Sequence, residues 1–396
     1  MAGSAPDDLI DRILGRLEAL LPSERPVPLH EPARLAEAWE NVKDCLDSGW
    51  VSSVGAYVDA FERGLSEYTG VGPAVAVVNG TAALHACLVL ADVTPGDEVL
   101  LPSLTFVGTA NPVAMMGAVP HFVDSGHETL GVDPSALAAH LAEIGERRAG
   151  ECFNRRTGRR IRALVVVHVL GHVADMRALR EVADDYHLKL IEDAAEALGS
   201  FRDGQHAGAW SDVSALSFNG NKIITTGGGG ALLTPSTELA ARAKHLTTTA
   251  KLPHAWAFDH DSVAFNYRLP NLNAAVGVAQ LEQLSSLLAA KRQLASQYRR
   301  QLADVEELEL FAEPADCRSN HWLNLLLMPD RQYRDALLDA ATSRGLLLRP
   351  FWTPLHQLPM YSDAPRAALP VAEELFERGV CLPSSATLAL APESSS

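Results

Sequence analysis

The chain has 396 residues, a length that favours two domains because single hydrophobic cores usually divide beyond roughly 250–300 residues. Its formal net charge is −16, whereas nucleic-acid-binding proteins present a basic face, so we expect no nucleic-acid partner. The five cysteines are scattered without a CxxC pair, which is typical of reduced thiols in a cytoplasmic protein and argues against disulfides or a metal site. The sequence has neither a run of about 20 apolar residues nor a signal-peptide pattern, so we expect no membrane partner.

The first fifty residues have apolar residues at helical spacing, with a break at Pro22–Pro28. From Ala74 onward, short apolar runs alternate with helical stretches, as expected for strands buried on both faces of a sheet. This alternation predicts an α/β fold with a mostly parallel seven-stranded sheet and helices on both faces. The predicted strands are Ala74–Val78, Glu98–Leu101, Val119–Val123, Ala163–Val169, Leu188–Ile191, Val213–Phe218 and Ala231–Leu233.

The strand pattern ends after Leu233, and the leucine spacing between Asn271 and about Leu302 predicts a long helix. We expect this helix to lead into a smaller C-terminal α/β domain. The predicted organisation is therefore a helical segment over 1–50, a large domain over 51–270, and a bridging helix with a small domain over 271–396.

The most informative stretch reads VSALSFNGNKIITTGGGGALLT, over residues 213–234. Lys222 follows a predicted buried strand, where its amine can be partly desolvated. Desolvation favours the neutral amine, which is the nucleophile in Schiff-base chemistry. The glycines that follow allow the backbone to approach a ligand closely.

Asp193 follows another apolar strand in the stretch LIEDAAEALG. It therefore lies at the carboxyl end of the sheet, where open α/β folds bind ligands. A carboxylate there can hold a pyridinium nitrogen protonated, although aspartate is also a good helix N-cap. Lys222 on a later strand favours the cofactor role.

Three further features suit a flat, phosphorylated cofactor. The turn Asn79–Ala83 lies between a strand and a helix, and a helix N-terminus binds anions. Ser217 offers a nearby hydroxyl, and Phe106 offers an aromatic face for stacking. A buried phenylalanine is nevertheless more often part of a core.

Three other patterns give less support for a functional site. His168 and His172 have the spacing of a helical metal pair but straddle a glycine at a strand end, so we interpret them as a polar lining of the sheet edge. Gly227–Gly230 lacks the Lys-Ser/Thr of a nucleotide-triphosphate loop. A Gly-x-Ser-x-Gly motif is absent.

With these elements in order, the chain resembles the DegT/DnrJ/EryC1/StrS family of sugar aminotransferases over roughly Pro28–Ser385. It is most similar to the LegC-type branch, which acts on nucleotide-linked 4-keto-6-deoxy amino sugars. The segments that carry this closer similarity are GWVSSVG (49–55), VVNGTAALHACL (77–88), SFNGNKIITTGGGG (217–230), HLTTTAK (245–251) and NYRLPNLNAAVG (266–277).

The resemblance implies a fold-type I enzyme that uses pyridoxal 5'-phosphate (PLP) and works as a homodimer with shared active sites. Lys222 would hold PLP as a Schiff base and later move protons, Asp193 would pair with the ring nitrogen, and Phe106 would stack on the ring. The cofactor contacts implied at the phosphate side are Gly80, Thr81, Ala82 and Ser217, with Asn266 reaching across the dimer.

Two positions depart from the family pattern. Glu196 stands near the ring where many relatives have Gln or His, and Gly228 replaces a common Glu. For the sugar nucleotide, an acidic protein needs local positive charge, and the basic residues in the relevant segments are Lys251, Arg268 and Arg349.

The implied reaction moves an amino group from L-glutamate to C4 of a nucleotide-linked 4-keto-6-deoxy (2-acetamido) hexose for bacterial surface-glycan sugars. Alternatives are a PLP-dependent sugar dehydratase, which would have histidine in place of Lys222, another PLP enzyme, or a non-catalytic PLP-bound regulatory protein. The choice between UDP and GDP, the stereochemistry at C4 and the glycan pathway stay open.

Overall fold

The computed structural model describes residues 6–389, and its largest sheet contains all seven predicted strands. In chain order, the strands up to residue 233 are β1 (Ala74–Val77), β2 (Glu98–Pro102), β3 (Val119–Val123), β4 (Gly145–Arg148), β5 (Glu151–Asn154), β6 (Arg160–Val167), β7 (Lys189–Asp193), β8 (Phe201–Arg202), β9 (Gln205–His206), β10 (Val213–Ser217) and β11 (Gly230–Leu233). The ends of the first and last predicted segments, 1–5 and 390–396, lie outside the described residues.

The seven strands run in the order β1-β11-β10-β7-β6-β2-β3. β11 is antiparallel to both of its neighbours, and the other four pairs are parallel. Because β11 alone is reversed, β1, β10, β7, β6 and β2 all end at the same edge of the sheet. Most of these strands are buried along their whole length, which explains their continuous apolar runs.

A hairpin of β4 and β5 extends this sheet to nine strands and is absent from the predicted seven. It joins the sheet where β5 pairs with β6, with Cys152 opposite Ile161. Its first strand reads Gly-Glu-Arg-Arg and is exposed after Gly145. An exposed strand of charged residues has no apolar pattern by which it could be recognised.

The helices are α1 (Pro6–Leu20), α2 (Trp39–Ser48), α3 (Ala56–Thr69), α4 (Gly80–Leu90), α5 (Asn111–Met115), α6 (Pro134–Ile144), α7 (Met176–Asp185), α8 (Thr237–Thr247), α9 (Asn271–Gln301), α10 (Arg331–Ser343) and α11 (Pro370–Arg378). Several begin at a polar side chain that accepts a backbone N–H of the first turn, as Asp133, Asp175, Ser236 and Asp330 do. The predicted N-terminal helix and the long helix from Asn271 are both present.

The C-terminal region has a second, antiparallel sheet. Its strands are β12 (Glu309–Leu310), β14 (Asn324–Leu327), β15 (Arg349–Pro350) and β16 (Gly379–Leu382), in the order β12-β14-β16-β15. The strand β13 (Cys317–Arg318) pairs instead with β8. A separate apolar core forms here, in which α1 packs on α9 and α10. The division into three domains at residues 50 and 270 stays a prediction.

The five cysteines are free thiols and buried. None of the helices in residues 6–389 is both long enough and apolar enough to span a bilayer. Within the same residues, no group of three or more His, Cys, Asp or Glu side chains has the arrangement of a metal site.

Two backbones approach unusually closely where β11 passes the start of α4. A Cβ added to Gly230 would lie 2.5 Å from the carbonyl carbon and oxygen of Asn79 and 2.8 Å from the nitrogen of Gly80. Only a glycine allows this spacing, so Gly230 helps to place the N-terminus of α4 against the sheet.

We therefore expect Gly230→Ala to lower the melting temperature, with a cost of about 1–3 kcal/mol in the free energy of unfolding, as is usual for overpacking. Gly15→Ala is the matched control. Gly15 lies within α1 with open space around its Cα, and alanine there is expected to stabilise the helix by up to about 1 kcal/mol. Equal thermal scans for Gly230→Ala and the wild type would contradict the packing argument.

Candidate active site

A cavity of about 340 Å³ opens at the edge where the parallel strands end. It lies between the ends of β6, β7 and β10, the N-terminus of α4, and two tryptophans from the C-terminal region. Seven of the residues predicted to bind or react with a cofactor line it, namely Gly80, Thr81, Phe106, Asp193, Glu196, Ser217 and Lys222. The sheet topology thus brings together residues up to 142 positions apart, from Gly80 to Lys222.

The N-terminus of α4 forms one wall of this cavity. Asn79 caps the helix, and its Oδ1 accepts the N–H of Ala82 at 2.8 Å. The N–H groups of Gly80 and Thr81 lie in the first turn and have no acceptor within the helix. Both residues line the cavity, and the positive end of the helix dipole lies there, which suits an anion such as a phosphate. The N–H of Ala82 is already occupied, and Ala82 is not among the lining residues.

Asp193 ends β7 with its side chain buried, at 5% exposure. Its Oδ2 accepts the hydroxyl of Thr109 at 2.8 Å, and its Oδ1 accepts the N–H of Ala195 at 3.1 Å. Burial raises the pKa of Asp193, while these two hydrogen bonds and the nearby charge of Lys222 act in the opposite direction. The carboxylate therefore accepts two hydrogen bonds but lies in a part of the cavity wall that water hardly reaches.

Lys222 lies at the end of a turn that follows β10, where its N–H donates to the carbonyl of Asn219 at 3.0 Å. Its Nζ is 3.7 Å from Oε1 of Glu196 and 4.1 Å from the centroid of the Trp322 ring. The amine therefore lies between a carboxyl group and an aromatic face, inside the cavity.

Glu196 is buried in the turn three residues beyond Asp193, and its Oε2 accepts the N–H of Leu170 at 2.8 Å. Burial raises the pKa of Glu196 to about 7, an effect that the negative charge of Asp193 reinforces and the positive charge of Lys222 opposes. The carboxyl of Glu196 therefore changes charge near neutral pH, whereas two hydrogen bonds favour the ionised form of Asp193.

An aromatic wall completes the cavity. Phe106 is 55% exposed, which is unusual for a large apolar side chain and leaves one ring face open to a ligand. Trp352 lies 6.5 Å from Phe106 and stacks on Trp322, with centroids 6.2 Å apart and an angle of 18° between the rings.

Four predicted residues lie away from the cavity of this chain. Asn266 accepts a hydrogen bond from Nε of Arg268 at 2.9 Å. Lys251 places its Nζ 3.7 Å from the centroid of Phe258, and Arg349 lies on the exposed strand β15. None of these residues lines the cavity.

The interpretation of His168 and His172 as a polar lining is wrong, because neither reaches the cavity. His168 is buried and bonded to Glu192, with 2.7 Å between Nε2 and Oε2. Its Nδ1 accepts the N–H of Ala174, so the neutral ring donates from Nε2 to Glu192. His172 is buried against Phe311. Both histidines are therefore part of the packing beneath the sheet edge.

The sequence analysis missed several lining residues, namely Thr105, Thr109, Asn219, Asn221, Trp322 and Trp352. Thr109 donates its only proton to Asp193, so its oxygen accepts from Thr105 at 3.1 Å. The two threonines lie on either side of Phe106 in the sequence, which is a faint signal. The two tryptophans come from a distant part of the chain and have no local signal.

The donor set fits PLP. An aldehyde needs an amine such as Lys222, a phosphate needs N–H donors such as those of Gly80 and Thr81, and a pyridine nitrogen needs a carboxylate such as Asp193. An open aromatic face such as that of Phe106 suits a planar ring.

Comparison with known proteins agrees with this donor set. The model of the DegT/DnrJ/EryC1/StrS aminotransferase family matches residues 33–394. The chain belongs to this family. It is a PLP-dependent sugar aminotransferase, with the α/β fold that the sequence predicted.

Individual members of the family match nearly end to end. The GDP-perosamine synthase of Vibrio cholerae is 35% identical over 362 residues, which cover 90% of this chain and 94% of the relative. The pyridoxal phosphate-dependent aminotransferase named EpsN of Bacillus subtilis (strain 168) is 35% identical and covers 88% of each chain. The crystal structure of the aminotransferase TlmJ from Streptoalloteichus hindustanus superposes with a TM-score of 0.82 at 31% identity, covering 92% of this chain and 95% of TlmJ.

Thr109 offers a test of how Asp193 is kept ionised. Thr109→Val removes a hydrogen bond to a buried carboxylate, so it should raise the pKa of Asp193 further. A hydrogen bond to a charged group is worth roughly 1.5–3 kcal/mol, so we expect PLP to bind about tenfold or more weakly. The measurement is a titration of PLP-free protein with PLP. Thr109→Ser keeps the hydroxyl and is expected to bind PLP like the wild type; if both variants bind equally, the hydrogen bond is irrelevant.

Glu196 predicts a pH dependence of stability in the PLP-free protein. Its folded pKa of about 7 lies above its ordinary value of 4.5. Between these values the unfolded chain has lost a proton that the folded chain retains, so the free energy of unfolding falls as pH rises from about 4.5 to 7 and then levels off. Glu196→Gln removes this loss and should therefore be more stabilising, relative to the wild type, at pH 8 than at pH 5.

Urea unfolding at both pH values measures this difference. Glu128→Gln is the control, because Glu128 is exposed and its substitution should give the same small change at both pH values. An effect of Glu196→Gln that is equal at pH 5 and pH 8 would show that Glu196 titrates normally.

Proposed function

We propose that the protein transfers an amino group from L-glutamate to C4 of a nucleotide-linked 4-keto-6-deoxy (2-acetamido) hexose, for bacterial surface-glycan sugars. One observation carries this proposal. In a chain of this aminotransferase family, the amine of Lys222 shares a cavity with the buried carboxylate of Asp193 and the uncapped N–H groups of α4.

We assign the cofactor contacts by chemical type. Gly80 and Thr81 bind the phosphate through backbone N–H groups, and Ser217 adds a hydroxyl on the facing strand. A Cβ on Gly80 would lie 2.9 Å from the Cβ of Ser217, so glycine is needed for the two segments to meet around one anion. Ala82 supports this turn through its bond to Asn79.

Asp193 holds the ring nitrogen in its protonated form, because ionised Asp193 in a desolvated wall is best stabilised by a positive partner. When bound, PLP supplies an electron sink next to the substrate carbon. Lys222 is the nearest flexible base in the cavity and moves the proton at that carbon. Oε1 of Glu196 lies 3.7 Å from Nζ of Lys222, so a second group that can carry a proton adjoins the amine.

Two similarities to other proteins support the proposed sugar acceptor. GDP-perosamine synthases are 34–35% identical to this chain, which supports a nucleotide-linked sugar as acceptor. The 2-acetamido group rests on similarity to the LegC-type branch in segments such as 49–55 and 245–251. GDP appears in the names of these relatives, whereas the similarity to the LegC-type branch leaves the nucleotide open, so both UDP- and GDP-linked substrates belong in the test.

We also propose a cytoplasmic homodimer with shared active sites. Within one chain, Asn266, Lys251, Arg268 and Arg349 lie outside the cavity. The segment 249–265 carries side chains such as Trp256 and Phe258, which are 80% and 75% exposed. Exposed aromatic side chains on one arm suit a protein interface, and a partner subunit would bring Asn266 to the cofactor phosphate and the three basic residues towards the sugar diphosphate.

The decisive experiment is the visible spectrum of the purified protein with PLP, before and after L-glutamate. We expect a visible band from lysine-linked PLP that glutamate bleaches and that a UDP- or GDP-linked 4-keto sugar restores. Restoration by neither sugar would contradict the proposed acceptor, and a band that glutamate leaves unchanged would contradict the proposed donor.

Lys222→Ala is expected to remove this band and to lower turnover by several orders of magnitude, because no other amine in the cavity replaces it. Lys43→Ala removes an exposed lysine that pairs with Asp47, and it should keep both the band and the turnover. Near wild-type turnover in Lys222→Ala would overturn the assignment.

A further inference from the structure

Trp322 contacts Lys222 in two different ways, although the two residues are 100 positions apart in the chain. The indole Nε1–H donates to the carbonyl of Asn221 at 2.7 Å, and Asn221 immediately precedes Lys222. The ring face meets the other end of the same lysine, with Nζ 4.1 Å from the ring centroid. One side chain therefore contacts both the backbone of the residue before the reactive lysine and the amine of that lysine.

The indole is itself firmly held. Trp322 is 4% exposed, and Trp352 stacks on it. Its backbone carbonyl accepts a hydrogen bond from Nζ of Lys291 at 2.7 Å, and the same buried amine also donates to the carbonyl of Ser384. A ring fixed from several directions can impose a position on a flexible neighbour, whereas a mobile ring cannot.

Lys222 needs such a constraint. A lysine has a four-carbon stem with freely rotating bonds, and in the proposed reaction its nitrogen is released from the cofactor and must stay beside the substrate carbon. A cationic amine is attracted to the face of an indole within about 6 Å. Trp322 lies on one side of the amine, and Glu196 lies 3.7 Å away.

We propose that Trp322 is a positioning residue for Lys222, which anchors the turn through Asn221 and holds the free amine against its ring between steps of the reaction. This inference rests on the proposed function of Lys222. It extends that function by making the small C-terminal sheet, which Trp322 precedes, a part of the machinery that places the amine.

Several charged and titratable groups also lie around the amine of Lys222. Glu196 is the nearest, and both Asp193 and His30 interact electrostatically with Lys222. Lys291 lies beyond Trp322, where it repels a proton on His30. Substituting Trp322 leaves all of these groups in place, so a change in pH behaviour reports the loss of the ring.

The test measures how fast PLP-free protein links to added PLP as a function of pH. In this step the nitrogen of Lys222 bonds to the aldehyde carbon of PLP and the aldehyde oxygen leaves as water, and only the neutral amine has the required lone pair. Borohydride reduction and peptide mass spectrometry locate the adduct on Lys222. This readout is independent of turnover by the loaded enzyme.

Trp322→Leu removes both the ring face and the N–H. We expect its maximal linking rate to fall about tenfold because the turn loses a hydrogen bond. We also expect the pH of half-maximal rate to fall by about one unit because the cationic amine loses the indole face. Trp322→Phe keeps a ring but not the N–H, so its maximal rate should fall similarly while its midpoint moves by less than half as much.

Trp39→Leu is the matched control, because Trp39 is 63% exposed and does not line the cavity, so its midpoint should not move. Circular dichroism checks folding, and if Trp322→Leu fails to fold, the fall in maximal rate of Trp322→Phe tests the anchoring alone. A wild-type profile in the folded Trp322 variants, or an equal shift in Trp39→Leu, would overturn the inference. If the wild type itself forms no adduct on Lys222, the proposed function fails and the inference fails with it.

Discussion

The carboxyl of Asp193 lies at a place that water barely reaches, and this burial, which raises its pKa, constrains everything around it. Its carboxylate receives only two hydrogen bonds from the protein, from Thr109 and from the N–H of Ala195. An ionised carboxylate in a desolvated wall is costly unless a positive group pairs with it. The chain's own nearby cation is Lys222. It lies closer to Glu196, and in the proposed reaction its amine takes part in covalent chemistry. The geometry therefore leaves Asp193 ready for a cationic ring nitrogen supplied by the cofactor.

Three acidic side chains lie within five residues, and the structure gives each a different environment. Glu192 and Asp193 are adjacent in β7, so they point to opposite faces of the sheet. Glu192 accepts from His168 and from the N–H groups of Gly208 and Trp210, which keeps its pKa low despite full burial. Glu196 has a single backbone donor and its pKa is raised to about 7. Paired carboxyls with separated pKa values are how a site holds both a fixed charge and a mobile proton near neutral pH.

The parts of this structure that could be predicted are those that leave a local pattern. Strands buried on both faces appear as apolar runs, and the Lys222 turn and the Asp193 strand end follow two of them. The hairpin at 145–154 was missed because its first strand is charged and exposed. Trp322 and Trp352 were missed for a different reason, since Trp322 packs against a turn 101 residues away and Trp352 stacks on Trp322. Such a contact depends on how the C-terminal sheet docks, which one sequence read without relatives does not reveal.

The distribution of positive charge in one chain bears on the proposed binding of a sugar nucleotide. Among the residues that line the cavity, Lys222 is the only lysine or arginine, and it is engaged by Glu196 and by the proposed chemistry. A diphosphate therefore needs cations from beyond this cavity, in a protein whose net charge of −16 repels anions overall. Lys251 lies against the exposed Phe258 in the segment 249–265, Arg268 bonds to Asn266 just after it, and neither residue lines the cavity of its own chain. Since a charge helps an anion only at short range in salt, the proposed dimer would reconcile an acidic protein with an anionic substrate by placing the basic residues of one subunit near the cavity of the other.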